Sequence, residues 1–364
     1  MELSNRQEAP ISVETHCAET PRTVALEILR GCNLGCIFCY LPEAAPGVQK
    51  PLVPPISVTF EILDAIAKAG TQEVYILGGE PTLHPQFDLI CQRIAELGFL
   101  KRGLVTNGTL LTRERARGLK RLGFWVDVSV RSVDKATLQG IVRRPNTLGK
   151  VLNGLRLLDE EKVPLGIEID CLPVNRGQIV EIVRAVLEEG ILVDHVLLHR
   201  IAPYSAARAD ASRTTLEIAD YRDILIDARV IHEQFGVRIG FEDGLPLCLI
   251  PEEAWGYISA CECGHTLATV DPSGNVRRCA CHPQVLGNLL HVPLERIWRS
   301  KLAHFRSGDW LPPACSGCAV RSRCKGGCAV SAGTAEGYSS DVFSRMIRPI
   351  HLSGGVARSG DCES

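Results

Sequence analysis

The 364-residue sequence contains no uninterrupted apolar run near the about 18 residues that a membrane-spanning helix needs. A secretory start is also missing. Met1-Glu2-Leu3-Ser4-Asn5-Arg6 is acidic and polar where a signal would place basic residues and then an apolar stretch. A cytoplasmic protein without a membrane partner is expected. Charge of one sign is lacking too: 40 Lys and Arg stand against 42 Asp and Glu, a formal net of −2. No global field therefore draws nucleic acid to the chain. Hydrophobic residues at 45% and charged residues at 23% are ordinary for a soluble globular chain, so no disulfide scaffold is needed to hold a core.

What the chain has in excess is cysteine, with 16 residues. In a reducing compartment many thiols point to metal ligation or catalysis. Cys32, Cys36 and Cys39 form one group, and Cys261, Cys263, Cys279, Cys281, Cys315, Cys318, Cys324 and Cys328 form another. Cys17, Cys91, Cys171, Cys248 and Cys362 are scattered. Cys91 and Cys171 stand in apolar surroundings and read as small buried hydrophobes.

Between about 24 and 200, short β-branched or apolar runs alternate with segments of helical period. The runs are Val24 to Leu29, Val74 to Leu77, Leu104 to Val105, Val126 to Val130, Gly166 to Cys171 and His195 to His199. Several helical segments stop at glycine: Gly70, Gly98, Gly123, Gly190 and Gly236. Six strand–helix units imply a parallel sheet with its functional loops at the C-terminal strand ends. Six are too few to close an eight-stranded barrel, so the fold class is α/β with an open, partial (β/α)6 barrel. A longer helix over about 216–235 ends the series. Beyond it Gly, Pro and Cys become frequent, and short strands joined by turns such as Asp271-Pro272-Ser273-Gly274-Asn275 are expected. A segment poor in large apolar residues and rich in thiols is held together by metal more than by core.

The segment Gly31-Cys32-Asn33-Leu34-Gly35-Cys36-Ile37-Phe38-Cys39-Tyr40 follows the first strand with the spacing CxxxCxxC. Three thiolates on one loop can hold three irons of a 4Fe-4S cluster and leave the fourth open to a ligand. Zinc is the alternative, but no fourth Cys or His lies in the loop. The second strand ends in Gly78-Gly79-Glu80-Pro81: two glycines that let a ligand approach the backbone, and a carboxylate able to accept from an ammonium group. Thr106-Asn107-Gly108, Ser129, Arg143 and Val174-Asn175 fall on the same rim.

With these residues the chain resembles the radical SAM superfamily over about 22 to 200, in which CxxxCxΦC holds the cluster and a GGE motif binds S-adenosylmethionine. The resemblance implies that Cys32, Cys36 and Cys39 hold the catalytic cluster. Gly78, Gly79, Glu80 and Pro81 would meet the methionine amine, Ser129 and Arg143 its carboxylate, and Asn107 and Val174 the nucleoside. The cofactor then supplies a 5′-deoxyadenosyl radical that takes hydrogen from substrate. One departure is Ser129-Val130-Arg131, where family members often carry Ser-x-Asp. Arg131 either reads a substrate anion or is structural.

Cys315, Cys318, Cys324 and Cys328 follow the pattern CX2CX5CX3C, preceded by Gly274-x4-Cys279 and by Cys261 and Cys263. In an isolated small domain this would read as a zinc ribbon. After a cluster-binding barrel it resembles the SPASM extension of radical SAM enzymes, which implies two auxiliary 4Fe-4S clusters. The inner one would take Cys261 or Cys263 or both, Cys279 and the returning Cys328. The outer one would take Cys315, Cys318, Cys324 and, as the last cysteine, Cys362. Cys281 is an extra thiol that could replace an upstream ligand. The division expected is 1–21 as an N-terminal segment, 22–238 as the barrel, 239–335 as a small Cys-rich SPASM domain of hairpin and cluster loops, and 336–364 as a tail.

Phe305 to Cys315 is similar to the corresponding region of the maturases that crosslink the pyrroloquinoline quinone precursor peptide, which favours a ribosomal peptide as substrate. Only about 20 residues precede the barrel, so a separate peptide-recognition protein is expected, with flavodoxin or ferredoxin as external electron donor. The runner-up is a small-molecule enzyme acting on a sugar nucleoside, aminoglycoside or tetrapyrrole. A non-catalytic iron–sulfur or zinc module is the third reading, opposed by the intact GGEP. His199, Arg200, Tyr204, Glu242 and Asp243 are placed to face substrate.

Overall fold

The computed structural model describes residues 19–41, 52–202, 211–331 and 341–351. Cys17, Tyr204 and Cys362 lie outside the described residues.

The expected alternation is present. β1 (Thr23–Glu27) is followed by α1 (Ile56–Lys68), β2 (Glu73–Leu77), α2 (Phe87–Glu96), β3 (Lys101–Thr106), α3 (Arg113–Arg121) and β4 (Trp125–Ser129). Then come α4 (Lys135–Val142), α5 (Leu148–Glu160), β5 (Leu165–Cys171), α6 (Ile179–Glu188) and β6 (His195–Arg200). These six strands are parallel and adjacent in chain order. Their two-residue period sends Val24, Val74, Ile76, Val126, Val128, Ile167, Ile169 and Val196 into the core beneath the helices. The other parity carries Tyr75, Asp127, Ser129, Glu168, Asp170 and His199 on the opposite, concave face. Helix ends follow local chemistry. Thr112 and Asp134 cap α3 and α4 by accepting from Arg115 N and Thr137 N. Gly236 closes α7 (Ile218–Phe235) at φ 68°, a left-handed residue that costs glycine nothing.

The sheet extends further than six strands. β7 (Arg238–Phe241) adds a seventh parallel strand beside β6, and the expected boundary at 238/239 falls inside it. At the other edge β8 (Leu267–Val270) pairs parallel to β1, and β9 (Asn275–Arg277) and β10 (Val285–Asn288) continue antiparallel. The result is one open sheet in the order β10-β9-β8-β1-β2-β3-β4-β5-β6-β7. The cysteine-rich region is thus grafted on the barrel edge, and the buried pair Arg277 Nη2–Glu27 Oε1 at 2.5 Å ties β9 to β1. α8 (Leu294–Ser307) covers the hairpin with Ile297, Trp298 and Phe305. Among the described residues no helix is long and apolar enough to cross a membrane.

Candidate active site and its cluster loops

The first cysteine loop has a small core of its own. Leu34 and Ile37 pack against Leu138, Ile141, Val142 and Leu172, each contributing roughly 1.5–3 kcal/mol by burial. Backbone bonds from Gly35 N to Val142 O (2.9 Å) and Ile37 N to Ile141 O (3.0 Å) lay the loop on the end of α4. Cys32, Cys36 and Cys39 are carried out of this anchored backbone. Leu34 N donates to Cys32 Sγ at 3.3 Å and Leu41 N to Cys39 Sγ at 3.4 Å. Burial pushes the Cys32 and Cys39 thiols up to about 12 and raises Cys36 as well. Three half-buried thiols with raised proton affinity become thiolates only beside a compensating cation, which is the environment an iron cluster supplies.

Gly78-Gly79-Glu80-Pro81 docks directly on this loop. A Cβ on Gly79 would lie 1.9 Å from Gly31 O, and one on Gly78, at φ 139°, 2.4 Å from Leu29 O. The glycines therefore let two backbones meet, not only a ligand, and Glu80 N donates to Gly31 O at 2.9 Å. The Glu80 carboxylate is fully buried and already accepts from Thr82 N (3.1 Å), Thr82 Oγ1 (2.5 Å), Thr106 Oγ1 (2.6 Å) and Asn107 N (2.8 Å). It locks the β2 loop to the end of β3. Asn107 continues the chain of contacts, with Nδ2 2.9 Å from Asn33 Oδ1 and 3.7 Å from Cys32 Sγ. Ser129 ends β4 with Oγ 3.5 Å from Glu168 Oε2. Arg143 caps α4 in the left-handed region at φ 53°, exposed beside the cysteine loop, and Val174 is exposed just beyond β5. Apart from Arg143, which caps α4 in the connection after β4, these residues stand at or just beyond the C-terminal strand ends.

Arg131 is held between the cysteine loop and β5. Its guanidinium stacks 5.3 Å from the Phe38 ring centroid, and Nε lies 3.0 Å from Asp170 Oδ2. It is a partly buried cation against the Phe38 ring of the cysteine loop. Arg200 points away from the concave face, because its parity on β6 is that of the core. It bonds Gly244 O at 2.9 Å and Asp341 Oδ2 at 2.7 Å, between the rings of Tyr221 and Phe343. His199, one residue earlier, does face inward, with Asp243 at 3.0 Å and Glu168 at 3.7 Å. Burial disfavours its charged form, but the two carboxylates outweigh that and raise it well above the usual histidine value. Glu242 lies near the same group, its carboxyl raised by burial.

In the second group, Cys261 contacts Cys263 and Cys328, and Cys279 contacts Cys263 and Cys281. Five thiols thus meet where one four-iron cluster needs four. Asp341 holds this assembly by accepting from Cys328 N at 2.8 Å while bound to Arg200. Tyr75, on β2, lies between these thiols and Glu168 and Glu242. Cys315, Cys318 and Cys324 line a separate cavity together with Cys248. Sequence reasoning passed over Cys248, which has no neighbouring cysteine to mark it. Among the described residues no three His, Cys, Asp or Glu side chains are arranged about a single metal ion.

Residues 26–186 match the radical SAM superfamily, and residues 261–319 match its partner, an iron-sulfur cluster-binding domain known as SPASM. The chain belongs to the radical SAM superfamily. It is an S-adenosylmethionine-dependent enzyme with a C-terminal SPASM domain, and its cofactors are 4Fe-4S clusters and S-adenosylmethionine. The AdoMet-dependent heme synthase of Methanosarcina barkeri is 25% identical over 332 residues, 84% of this chain and 90% of that protein. The PqqA peptide cyclase of Bradyrhizobium diazoefficiens is 24% identical over 345 residues, 91% of this chain and 87% of that one. The fold is that of Streptococcus suis SuiB bound to S-adenosylmethionine, with a TM-score of 0.72 and 19% identity over 90% of this chain and 78% of SuiB.

Proposed function

We propose that this enzyme acts on a ribosomally made peptide, abstracting hydrogen from it in the biosynthesis of a natural product or cofactor. The observation that carries the proposal is the docking of the CxxxCxxC loop on GGEP through Gly79 and Gly31, at the mouth of a concave face lined by polar side chains. The bound cluster and S-adenosylmethionine supply reductive cleavage to a 5′-deoxyadenosyl radical.

The chain's own residues divide the remaining work. Cys32, Cys36 and Cys39 hold the catalytic cluster and leave one iron open. Gly78, Gly79, Glu80 and Pro81 present backbone to the methionine amine, with Glu80 keeping the loop in place through its four donors. Ser129 and Arg143 meet the carboxylate, and Asn107 and Val174 flank the nucleoside. Cys261, Cys263, Cys279 and Cys328 hold the inner auxiliary cluster; Cys315, Cys318 and Cys324 hold the outer one. Barrel and SPASM domain divide near 238, and one sheet runs through both. An external flavodoxin or ferredoxin donates the electron, and a separate protein presents the peptide.

The relation to a PqqA peptide cyclase over most of the chain supports a peptide substrate. The similarly distant heme synthase keeps a tetrapyrrole as the second reading. Anaerobic reduction with S-adenosylmethionine should release 5′-deoxyadenosine, and Cys36→Ala should abolish it; persistent cleavage would refute the cluster assignment. Deuterium from a labelled precursor peptide should appear in the 5′-deoxyadenosine. Label arriving only from a tetrapyrrole would replace the first reading with the second.

A further inference from the structure

The outer cysteine set has a fourth member that the spacing pattern does not contain. Cys315, Cys318 and Cys324 share their cavity with Cys248, which rides on the one-turn segment Leu247–Leu249. That turn is held firmly. Trp255 Nε1 donates to Leu247 O and Ile250 O, both at 3.1 Å, and Arg222 donates to Leu249 O at 2.7 and 2.9 Å. The turn is also bonded to the cysteine set itself, since Leu247 N donates to Cys324 Sγ at 3.4 Å. From the far side, Ile350 N donates to Cys318 Sγ at 3.5 Å, and Ala319 N donates to Ile350 O at 3.0 Å. Two of the sulfurs thus already accept backbone N–H groups, the outer-shell pattern that supports thiolates on iron. Ile347 and Arg348 complete the wall on that side, and Arg321 adds a second cation against the net negative charge of a four-thiolate cluster.

We propose that Cys248 is the fourth protein ligand of the outer 4Fe-4S cluster, in the place the sequence pattern assigns to Cys362. This rests on the reading of the second cysteine group as a cluster site. The consequence is functional. With four thiolates the outer cluster has no open iron, so it passes electrons and does not bind substrate.

The test separates the outer cluster from the catalytic one. In a Cys32→Ala, Cys36→Ala, Cys39→Ala background, anaerobically reconstituted, about eight irons per chain should remain. Adding Cys248→Ala should remove between about one and about four of them, leaving either the EPR signal of a three-iron cluster or no outer cluster. Cys362→Ala should change neither iron nor EPR. Cys248→Ser, close to isosteric, should keep the far-ultraviolet circular dichroism and the inner-cluster signal while altering the outer one, which excludes unfolding as the cause. Full iron and an unchanged spectrum in Cys248→Ala would overturn the ligand assignment alone, as would iron loss in Cys362→Ala. A background protein that holds only about four irons, or zinc in their place, would overturn the outer-cluster reading and this proposal with it.

Discussion

His195 Nε2 lies 2.8 Å from Asp127 Oδ1 although β5 runs between their strands. The contact is possible because the β5 residue in register with both is Gly166. A Cβ there would stand 2.2 Å from Asp127 Oδ1 and 2.3 Å from His195 Nε2. Trp125 Nε1 donates to the other carboxylate oxygen at 2.9 Å, so Asp127 is held from both sides. Together these groups close the end of the concave face opposite the cysteine loop.

Gly166→Ala should therefore destabilise the protein by about 1–3 kcal/mol, as overpacking in a close-packed site does. The midpoint of urea unfolding of the cluster-loaded protein reads it. A loss below about 0.5 kcal/mol, the ordinary scatter of surface substitutions, would show that the strands part easily.

His199 gives stability a pH dependence of definite sign. Its folded affinity for protons exceeds the unfolded value of about 6.5, so the stabilisation is complete below that pH and fades as pH rises through the folded value. Unfolding midpoints measured from neutral to alkaline pH should decline in the parent and decline less in His199→Gln. Equal slopes would remove His199 as the source.

Asp341→Ala should act on both the fold and the inner cysteine set. It strands the buried Arg200 guanidinium, a change that typically costs about 3–5 kcal/mol, and it frees the Cys328 N–H. Iron counting in the background lacking the catalytic cysteines should show the inner cluster lost before the outer one. Retention of all auxiliary iron with unchanged stability would contradict this.

Gly79→Ala should separate the GGEP loop from the cysteine loop, because the added methyl would overlap Gly31 O. Cleavage of S-adenosylmethionine should fall at least about 100-fold, the scale set by small misplacements in an active site. Auxiliary iron should be unaffected. Near-normal cleavage would mean that the two loops move independently.

The sequence by itself determined the chemistry that depends on local spacing. CxxxCxxC, GGEP and CX2CX5CX3C each lie within one short stretch of chain, and the periods of apolar residues in six strands and their helices are properties of neighbouring positions. Cys91 and Cys171 read as buried hydrophobes for the same reason and are 2% and 0% exposed. Tertiary structure decided whatever depends on distant partners. Four-residue β7 and β8 are too short to display a period, and only pairing with β6 and β1 makes them strands. Arg200 and His199 are adjacent and equally polar, yet strand parity sends one to the core and the other to the concave face. Arg131 acquires its place from Asp170 and Phe38, and the two glycines of GGEP from a backbone in another loop. Cys248 precedes Cys315 by 67 positions and reaches the outer cysteine set only because the chain folds back on Cys324, a meeting that no spacing rule contains.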